Sequence, residues 1–146
     1  MGRIKLELPK HYSFFTPIAV RITDLNYGGH VGNDTILTLL HEARVRFLKH
    51  HGFSELEFAG VSLIMGDVAI EFKNELFYGD ELKAYVTAFD FSRAGFDLAY
   101  KLVKNEAETV VALAKTGMVC FDYNKRKVVG VPATAVEQLG RVELKS

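Results

Sequence analysis

The residues with the most chemistry at close spacing lie in one short turn, Asp24-Leu25-Asn26-Tyr27-Gly28-Gly29-His30-Val31-Gly32-Asn33-Asp34. The turn combines carboxylates, side-chain amides, an imidazole and three glycines just before a helical pattern that begins at Ile36. Unpaired backbone N–H groups at a helix start carry partial positive charge, which suits a carbonyl oxygen that becomes negative during a reaction. The turn therefore predicts a carbonyl-polarising site at the start of a helix, with Asn33 or Asp34 as N-cap.

Three titratable side chains in the turn or soon after it are candidates for activating water or attacking a substrate: Asp24, His30 and Glu42. Asp24 and Asn26 would share one face if the preceding strand continued through them. Each candidate also has a structural interpretation. Asp24 can hydrogen-bond the backbone of the turn, His30 can be a satisfied turn histidine, and Glu42 can pair with a nearby arginine. The choice of base stays open among the three, with Asp24 placed first.

Five further residues of the turn are predicted to contact a substrate. Gly28, Gly29 and Gly32 let another backbone or a ligand come close, because glycine has no side chain and accepts positive φ. Tyr27 and Asn33 flank these glycines. The alternative is that the glycines only satisfy turn geometry and that Asn33 caps the helix.

The elements that must hold this turn are a strand before it and a helix after it. Aromatic and β-branched residues predict a strand over Phe14–Thr23, preceded by a surface strand or arm over residues 1–13. Apolar residues at spacings of three and four predict a largely enclosed helix over residues 34–51. Gly52 is well suited to end that helix.

The rest of the chain is almost entirely strand-like, with short turns of hairpin type between the segments. One long apolar helix followed by hairpin-linked strands predicts an α+β fold, in which an antiparallel sheet wraps around the helix in a single domain over residues 1–146. A short closing helix is expected over Ala133–Leu139. The predicted strands are Ser62–Met65, Val68–Phe72, Leu82–Phe91, Phe96–Lys104 and Val110–Tyr123.

Composition narrows the classes of function. The chain carries 18 Lys and Arg against 18 Asp and Glu, a balance that argues against nucleic acid or an anionic membrane as a partner. Cys120 is the sole cysteine, which excludes an intrachain disulfide and favours a reducing compartment. The histidines and carboxylates show no metal-ligand spacing, and no apolar run is long enough to span a bilayer. We therefore expect a cytoplasmic protein without a metal site.

Together, these motifs resemble those of the hotdog-fold thioesterases, in particular the hydroxybenzoyl-CoA thioesterase-like and acyl-ACP thioesterase-like branch. The resemblance is most specific in the Asp24–Asn33 turn and in the triplet Glu42-Ala43-Arg44. It implies a curved antiparallel sheet around one long central helix. It also implies hydrolysis of an acyl thioester carried by coenzyme A or acyl carrier protein, with no cofactor beyond that carrier, at a site shared by two subunits.

The chain departs from the family pattern at Asn26, where the family has the aspartate that acts as nucleophile or general base. A neutral amide can orient water or a carbonyl, but it neither accepts a proton at neutral pH nor attacks as an anion. Either Asp24, Glu42 or His30 supplies the base, or the protein is a non-hydrolytic acyl-CoA-binding or regulatory module. A hydratase on the same fold and a structural assembly protein are further alternatives.

The resemblance also suggests where the carrier and a second subunit would bind. Coenzyme A carries phosphates, and Arg93, Lys101 and Lys104 near predicted strand ends are candidates to meet them through charge-assisted contacts. Their other interpretation is as solvated charges that keep strand edges from aggregating. Because an antiparallel sheet around one helix leaves an edge exposed, we expect a homodimer or a homotetramer.

Overall fold

The computed structural model of the protein describes residues 3–140. An irregular arm, residues 3–13, leads into the first strand, and a 3₁₀ turn separates that strand from the long helix. In chain order the elements are β1 (Phe14–Ile18), the 3₁₀ turn (Ile22–Asp24), α1 (Asn33–His50), β2 (Ser62–Phe72), β3 (Leu82–Phe89), β4 (Gly95–Lys104), β5 (Thr109–Asp122), β6 (Lys127–Val128) and α2 (Ala133–Leu139).

The strands form one antiparallel sheet in the order β1-β3-β4-β5-β2, and β6 adds to β5. β3, β4 and β5 follow one another as hairpins, whereas β2 lies on the outer side of β5. β1 and β2 therefore end the sheet. With eleven residues, β2 is the longer of these two edges.

Helix α1 packs its apolar stripe against one face of this sheet. Leu40 and Phe47 of the helix are completely buried, as are Leu98 and Leu102 of β4, and all belong to one hydrophobic core. Alternate positions along each strand point to this core because side chains change face at every residue. The predicted α+β fold with one central helix is confirmed. Gly52 follows the helix with φ 83°, as its position suggested.

A buried polar network ties α1 to the sheet. Arg44 on α1 donates from Nε to Oε2 of Glu55 at 2.9 Å and from Nη1 to the Tyr100 hydroxyl at 3.2 Å. Burial raises the pKa of Tyr100, so the hydroxyl keeps its proton and can donate it to Oγ1 of Thr116, 2.7 Å away. Because a buried polar group without a partner is costly, the network fixes the rotation of α1 above β4 and β5.

Two further observations bear on the expectations from composition. Cys120 is buried in β5, and burial raises its pKa to about 11, so the thiol stays protonated. Neither helix found within residues 3–140 combines the length and the hydrophobicity that crossing a membrane requires.

The strand before the turn is shorter than predicted. It was expected over Phe14–Thr23, but β1 stops at Ile18 and the chain then leaves the sheet. A 3₁₀ turn replaces the end of the strand. The side chain of Asp24, the last residue of this turn, closes it by accepting the backbone N–H of Arg21. Local side-chain capping therefore outweighs the β propensity of the segment.

β2 is one strand where two were predicted. The segments Ser62–Met65 and Val68–Phe72 are continuous, with an irregular pairing between Met65 and Asp67. The Asp67 carboxylate accepts the Gly117 backbone N–H of β5 at 2.9 Å and so bridges the irregularity. The intervening glycine interrupts the pattern in the sequence without ending the strand.

Candidate functional site

Asp24 is built into the turn and does not face a cleft. Its Oδ2 accepts the Arg21 backbone N–H at 2.7 Å, and its Oδ1 lies 3.2 Å from the Arg21 guanidinium, while the side chain is only 4% exposed. Asn26 lies at the surface, where its Oδ1 accepts the Gly28 N–H at 2.9 Å. The two side chains do not share a face, because the strand that would have aligned them ends before them.

The turn is held against the loop that follows β2. His30 forms an isolated antiparallel bridge with Phe77, and the Val31 N–H donates to the Leu76 carbonyl at 2.7 Å. Within the turn, the Asn26 N–H donates to the His30 carbonyl at 2.8 Å. These bonds fix His30 where the turn, the loop and the start of α1 meet.

Helix α1 starts without a side-chain cap. Gly32 is its N-cap, so the prediction of Asn33 or Asp34 as N-cap is wrong. A Cβ on residue 32 would stand 2.8 Å from Oδ1 of Asp34, so a side chain there would require the Asp34 carboxylate to move. The Gly32 carbonyl accepts the N–H groups of Thr35 and Ile36. The amides of Asn33 and Asp34 precede these first intrahelical donors and project from the positive end of the helix.

A crevice of about 320 Å³ opens beside this helix start, and we call it the helix-start crevice. His30 and Glu75 face each other there, with His30 Nδ1 3.5 Å from Glu75 Oε1. The two groups are in ion-pair range, and the Glu75 side chain is largely exposed. The crevice is lined by His30, Val31, Asn33, Ile36, Phe72, Lys73, Asn74, Glu75, Leu76 and Val111.

The helix-start crevice thus combines an imidazole, a carboxylate, helix-terminal amides and apolar walls. Among the residues that line the crevice, His30 and Glu75 are the two potential metal ligands. In the part of the chain that the structure describes, no three His, Cys, Asp or Glu side chains stand close enough to hold a metal ion.

Glu42 lies on the outer side of α1 and lines a second crevice, of about 280 Å³, with Thr38 and Leu39. Its Oε2 accepts a hydrogen bond from Nε of Arg46 at 2.9 Å. Arg46 also donates to the Pro17 carbonyl at 2.6 Å and so joins α1 to β1. Glu42 therefore pairs with an arginine, as its structural interpretation predicts. Glu42 and His30 line separate crevices.

The glycines of the turn have different roles. At Gly28 a Cβ would stand 3.1 Å from Cδ2 of His30, so the missing side chain makes room for that ring. Gly29 has φ 82°, which only glycine adopts readily. Tyr27 is fully exposed. Of the five residues predicted to contact a substrate, Asn33 lines the helix-start crevice and the other four lie outside its wall.

The three cations predicted to meet carrier phosphates lie apart. Arg93 is in the turn between β3 and β4, and Lys104 ends β4. For a strand of this length that is a separation of roughly 30 Å. Lys101 lies with its Nζ 5.3 Å from the Tyr85 ring centre, and Lys104 donates to the Glu75 carbonyl at 2.7 Å. They do not form one site.

Two residues that the sequence reasoning missed, Lys73 and Glu75, line the helix-start crevice. They come directly after β2, in a segment without a recognisable motif. The available signal was a pair of opposite charges at the end of an apolar strand. The pair comes close to His30 because the hydrogen bond from Val31 to Leu76 and the bridge between His30 and Phe77 join these distant parts of the chain.

Comparison with known proteins identifies the family. A family model described as the thioesterase-like superfamily matches residues 20–139. The chain belongs to this superfamily. It is similar to a 1,4-dihydroxy-2-naphthoyl-CoA hydrolase from Microcystis aeruginosa, with 31% identity over 124 residues that make up 83% of this chain and 88% of that protein.

Solved structures of other proteins superpose on this chain over most of its length. A 1,4-dihydroxy-2-naphthoyl-CoA thioesterase from Synechocystis superposes with a TM-score of 0.80 at 22% identity, covering 89% of this chain and 97% of that one. A Staphylococcus aureus protein solved in complex with CoA gives 0.81 at 17% identity, covering 97% and 90%. The predicted membership of the hotdog thioesterases is confirmed.

Proposed function

We propose that this thioesterase-like superfamily member hydrolyses acyl thioesters of coenzyme A in the helix-start crevice. The observation that carries the proposal is that the uncapped start of α1 opens on the same crevice as His30. Thioester hydrolysis needs donors for the carbonyl oxygen, a base for water and an apolar space for the acyl group. The helix-start crevice supplies all three.

The backbone amides of Asn33 and Asp34 bind the carbonyl oxygen in this proposal. Water adds to the carbonyl carbon, and the negative charge that develops on the oxygen is stabilised by these N–H groups and by the helix dipole. The carbon–sulfur bond then breaks, and the thiol of the carrier leaves with a proton. The products are a carboxylic acid and free coenzyme A.

His30 is the proposed base. We assign the proton to Nδ1, the ring nitrogen nearer Glu75, which leaves the lone pair on Nε2. Nε2 can then take a proton from water and return it to the departing sulfur. Asp24 is a weaker candidate because both its oxygens contact Arg21. Glu42 lines another crevice and contacts Arg46.

The acyl group is proposed to be compact. A volume of about 320 Å³ is at the small end of the range of roughly 300–1,000 Å³ that ligand pockets span. Ile36 and Phe72 supply apolar surface, and Phe72 can stack on a flat ring. The relative from Microcystis aeruginosa is named for an aromatic acyl-CoA. We infer that aromatic or short acyl groups are preferred over long chains.

A second candidate is binding of acyl-CoA without turnover. It is favoured by Asn26, which stands where the family has its acidic residue and whose Oδ1 accepts the Gly28 N–H. In this alternative His30 only positions the ligand, and the crevice acts as a sensor or carrier site.

Measuring thiol release separates the two candidates. The purified protein is assayed with benzoyl-CoA, 1,4-dihydroxy-2-naphthoyl-CoA, acetyl-CoA and palmitoyl-CoA, with binding measured in parallel. We expect turnover of the compact thioesters and a fall of about 10²–10⁴ in kcat for His30→Gln. His41→Gln, on the exposed side of α1, is the matched control and should keep wild-type rates. Binding of these thioesters without thiol release would support the second candidate instead.

We also propose that the protein forms a homodimer through β2. This strand ends the sheet, and Ile64, Met65 and Val68 along it are exposed. A long edge with apolar side chains invites pairing with the same edge of a second copy. Antiparallel pairing of two β2 strands would continue the sheet across the pair. The assembly would also cover the apolar side chains.

A further inference from the structure

The arm, residues 3–13, crosses the outer face of the sheet, which is the face opposite α1. One row of paired residues runs across four neighbouring strands on this face: Tyr85 of β3, Lys101 of β4, Leu113 of β5 and Glu71 of β2. Lys101 is next to Leu102, which belongs to the core under α1. Because side chains change face at every residue, the row points away from the helix.

The arm follows this row from β3 to the edge at β2. The Tyr12 ring lies 6.1 Å from the Tyr85 ring, and Nζ of Lys101 lies 5.4 Å from the centre of the Tyr12 ring. At the other end, the Leu6 N–H donates to Oε1 of Glu71 at 2.8 Å. Three strand spacings are roughly 14 Å, and the stretch from Leu6 to Tyr12 can extend to about 20 Å. The arm is therefore fixed at both ends of the row.

Beyond its contact with Glu71, the arm carries an exposed apolar side chain. Residues 3–5 can extend about 10 Å beyond Leu6, or roughly two strand spacings. Ile4 in this stretch is 60% exposed, whereas Leu6 and Leu8 are partly buried. Because β2 ends the sheet, an arm that continues in the same direction carries Ile4 past its own sheet.

We propose that the end of the arm crosses the dimer interface and packs Ile4 against Ile64 on the outer face of the partner's β2. The inference rests on the β2 dimer proposed above. Antiparallel pairing about the middle of β2 brings the first residues of the partner's strand beside the end that carries Glu71. By the two-fold symmetry, each dimer would hold two such contacts.

Ile64 is suited to receive this contact because it is exposed on the face that the arm crosses. Ile64 pairs with Val119 of β5, and Glu71 pairs with Leu113. These two β5 residues are an even number of positions apart, so Ile64 and Glu71 share the outer face. Ile64 is 36% exposed, and contact with a second isoleucine would remove apolar surface from water on both subunits.

The test is a disulfide between the end of the arm and the partner. Ile4→Cys and Ile64→Cys are introduced into one chain, which is oxidised with oxidised glutathione and analysed by denaturing electrophoresis without reductant. The Cα atoms that a disulfide joins lie within about 7 Å of each other. Within one chain, Ile64 lies roughly 20 Å along β2 from Glu71, where the arm is fixed, so that link cannot close. We therefore expect a covalent dimer.

The matched control replaces Ile64→Cys with Lys83→Cys. Lys83 is similarly exposed, with 36% of its side chain accessible, and it lies on β3, three strands from the β2 edge. The control and each single-cysteine variant should stay at the 16.3 kDa mass of one chain. The native Cys120 is buried and should not react. An absent cross-link, or an equal yield in the control, would overturn the proposal.

The dimer dissociation constant gives a second measurement without cross-linking. Ile4→Ser should raise it about tenfold or more, because each dimer loses two apolar contacts. Ile22→Ser is the matched control, since Ile22 is a 66% exposed isoleucine in the 3₁₀ turn, and it should leave the constant unchanged.

Val68→Glu separates a failure of the arm contact from a failure of the dimer. A monomeric wild type, or a dimer that survives Val68→Glu, would refute the β2 interface and the arm contact with it. A dimer that Val68→Glu dissociates, but that forms no cross-link and tolerates Ile4→Ser, would refute the arm contact alone.

Discussion

Gly28 packs so closely against His30 that a Cβ at position 28 would crowd the imidazole ring. A Cβ there would stand 3.1 Å from Cδ2 and 3.2 Å from Nε2 of the ring. The φ of Gly28 is outside the left-handed region, so the backbone can accept alanine at this position. The added methyl group would therefore press on the His30 ring without straining the backbone. We expect Gly28→Ala to shift His30 by a few tenths of an ångström. Thioester turnover should fall by about tenfold or more, as small misplacements of a catalytic group do.

The control for this change is Gly130→Ala. Gly130 is exposed, and a Cβ there would meet only the Arg93 carbonyl at 3.5 Å, an ordinary contact. Both variants should change the free energy of unfolding by no more than about 0.5 kcal/mol, as surface substitutions usually do. A normal rate in Gly28→Ala would show that the position of His30 does not govern turnover.

Asp24 offers a test that separates capping from catalysis. Asp24→Asn retains an oxygen that can accept the Arg21 N–H, whereas Asp24→Ala leaves that N–H without its acceptor. We expect Asp24→Ala to lower the free energy of unfolding by about 1–3 kcal/mol. Asp24→Asn should keep most of the stability and the activity. If Asp24→Asn instead lost about 10²–10⁴ in kcat at full stability, Asp24 would be the base.

The sequence predicted the framework of this site better than its contents. The spacing of three and four in α1 and the alternation in the later strands reflect burial, which is local in each element and visible along the chain. Asp24 was expected to face a site because the strand was extended past Ile18. A short capping bond ended it earlier. Lys73 and Glu75 could not be assigned, since their place beside His30 depends on contacts between distant segments.

The Arg44 network predicts two substitutions with different costs. Arg44→Met removes the donors to Glu55 and Tyr100, and we expect a loss of about 1.5–3 kcal/mol for hydrogen bonds to a charged group. Glu55 is partly exposed, so water can replace part of this interaction. Tyr100→Phe keeps the ring and removes one hydroxyl, at a cost of about 1–2 kcal/mol. Urea unfolding measures both, and equal effects would contradict the central place of Arg44.

The β2 edge predicts the state of assembly. Light scattering at micromolar concentration should give twice the 16.3 kDa mass of the chain. Val68→Glu places a charge on the exposed part of β2 and should shift the protein toward monomer. Val128→Glu makes the same change on exposed β6 and should not alter the mass. A monomeric wild type, or a dimer that tolerates Val68→Glu, would exclude this edge as the interface.

His51, just after α1, makes stability depend on pH. Its Nε2 is buried without a hydrogen-bond partner in the described part of the chain, and its ring packs 4.9 Å from that of Phe47. Burial, and to a lesser extent the neighbouring His50, lowers the pKa of His51. The unfolded chain therefore binds this proton at a higher pH than the folded one. The contribution of neutral His51 to the free energy of unfolding is fully present above about pH 6.5, the usual pKa of histidine, and is lost as the pH falls below that value.

The free energy of unfolding, measured in urea between about pH 5.5 and 8, should decline toward the acidic end of that range. Replacing His51 with leucine removes the proton-binding group and should flatten the decline. His50→Gln is the matched control, because it changes the exposed neighbour and keeps the buried ring. A slope unchanged in His51→Leu would mean that other groups cause the acid sensitivity, since a side chain that cannot titrate contributes nothing to the linkage.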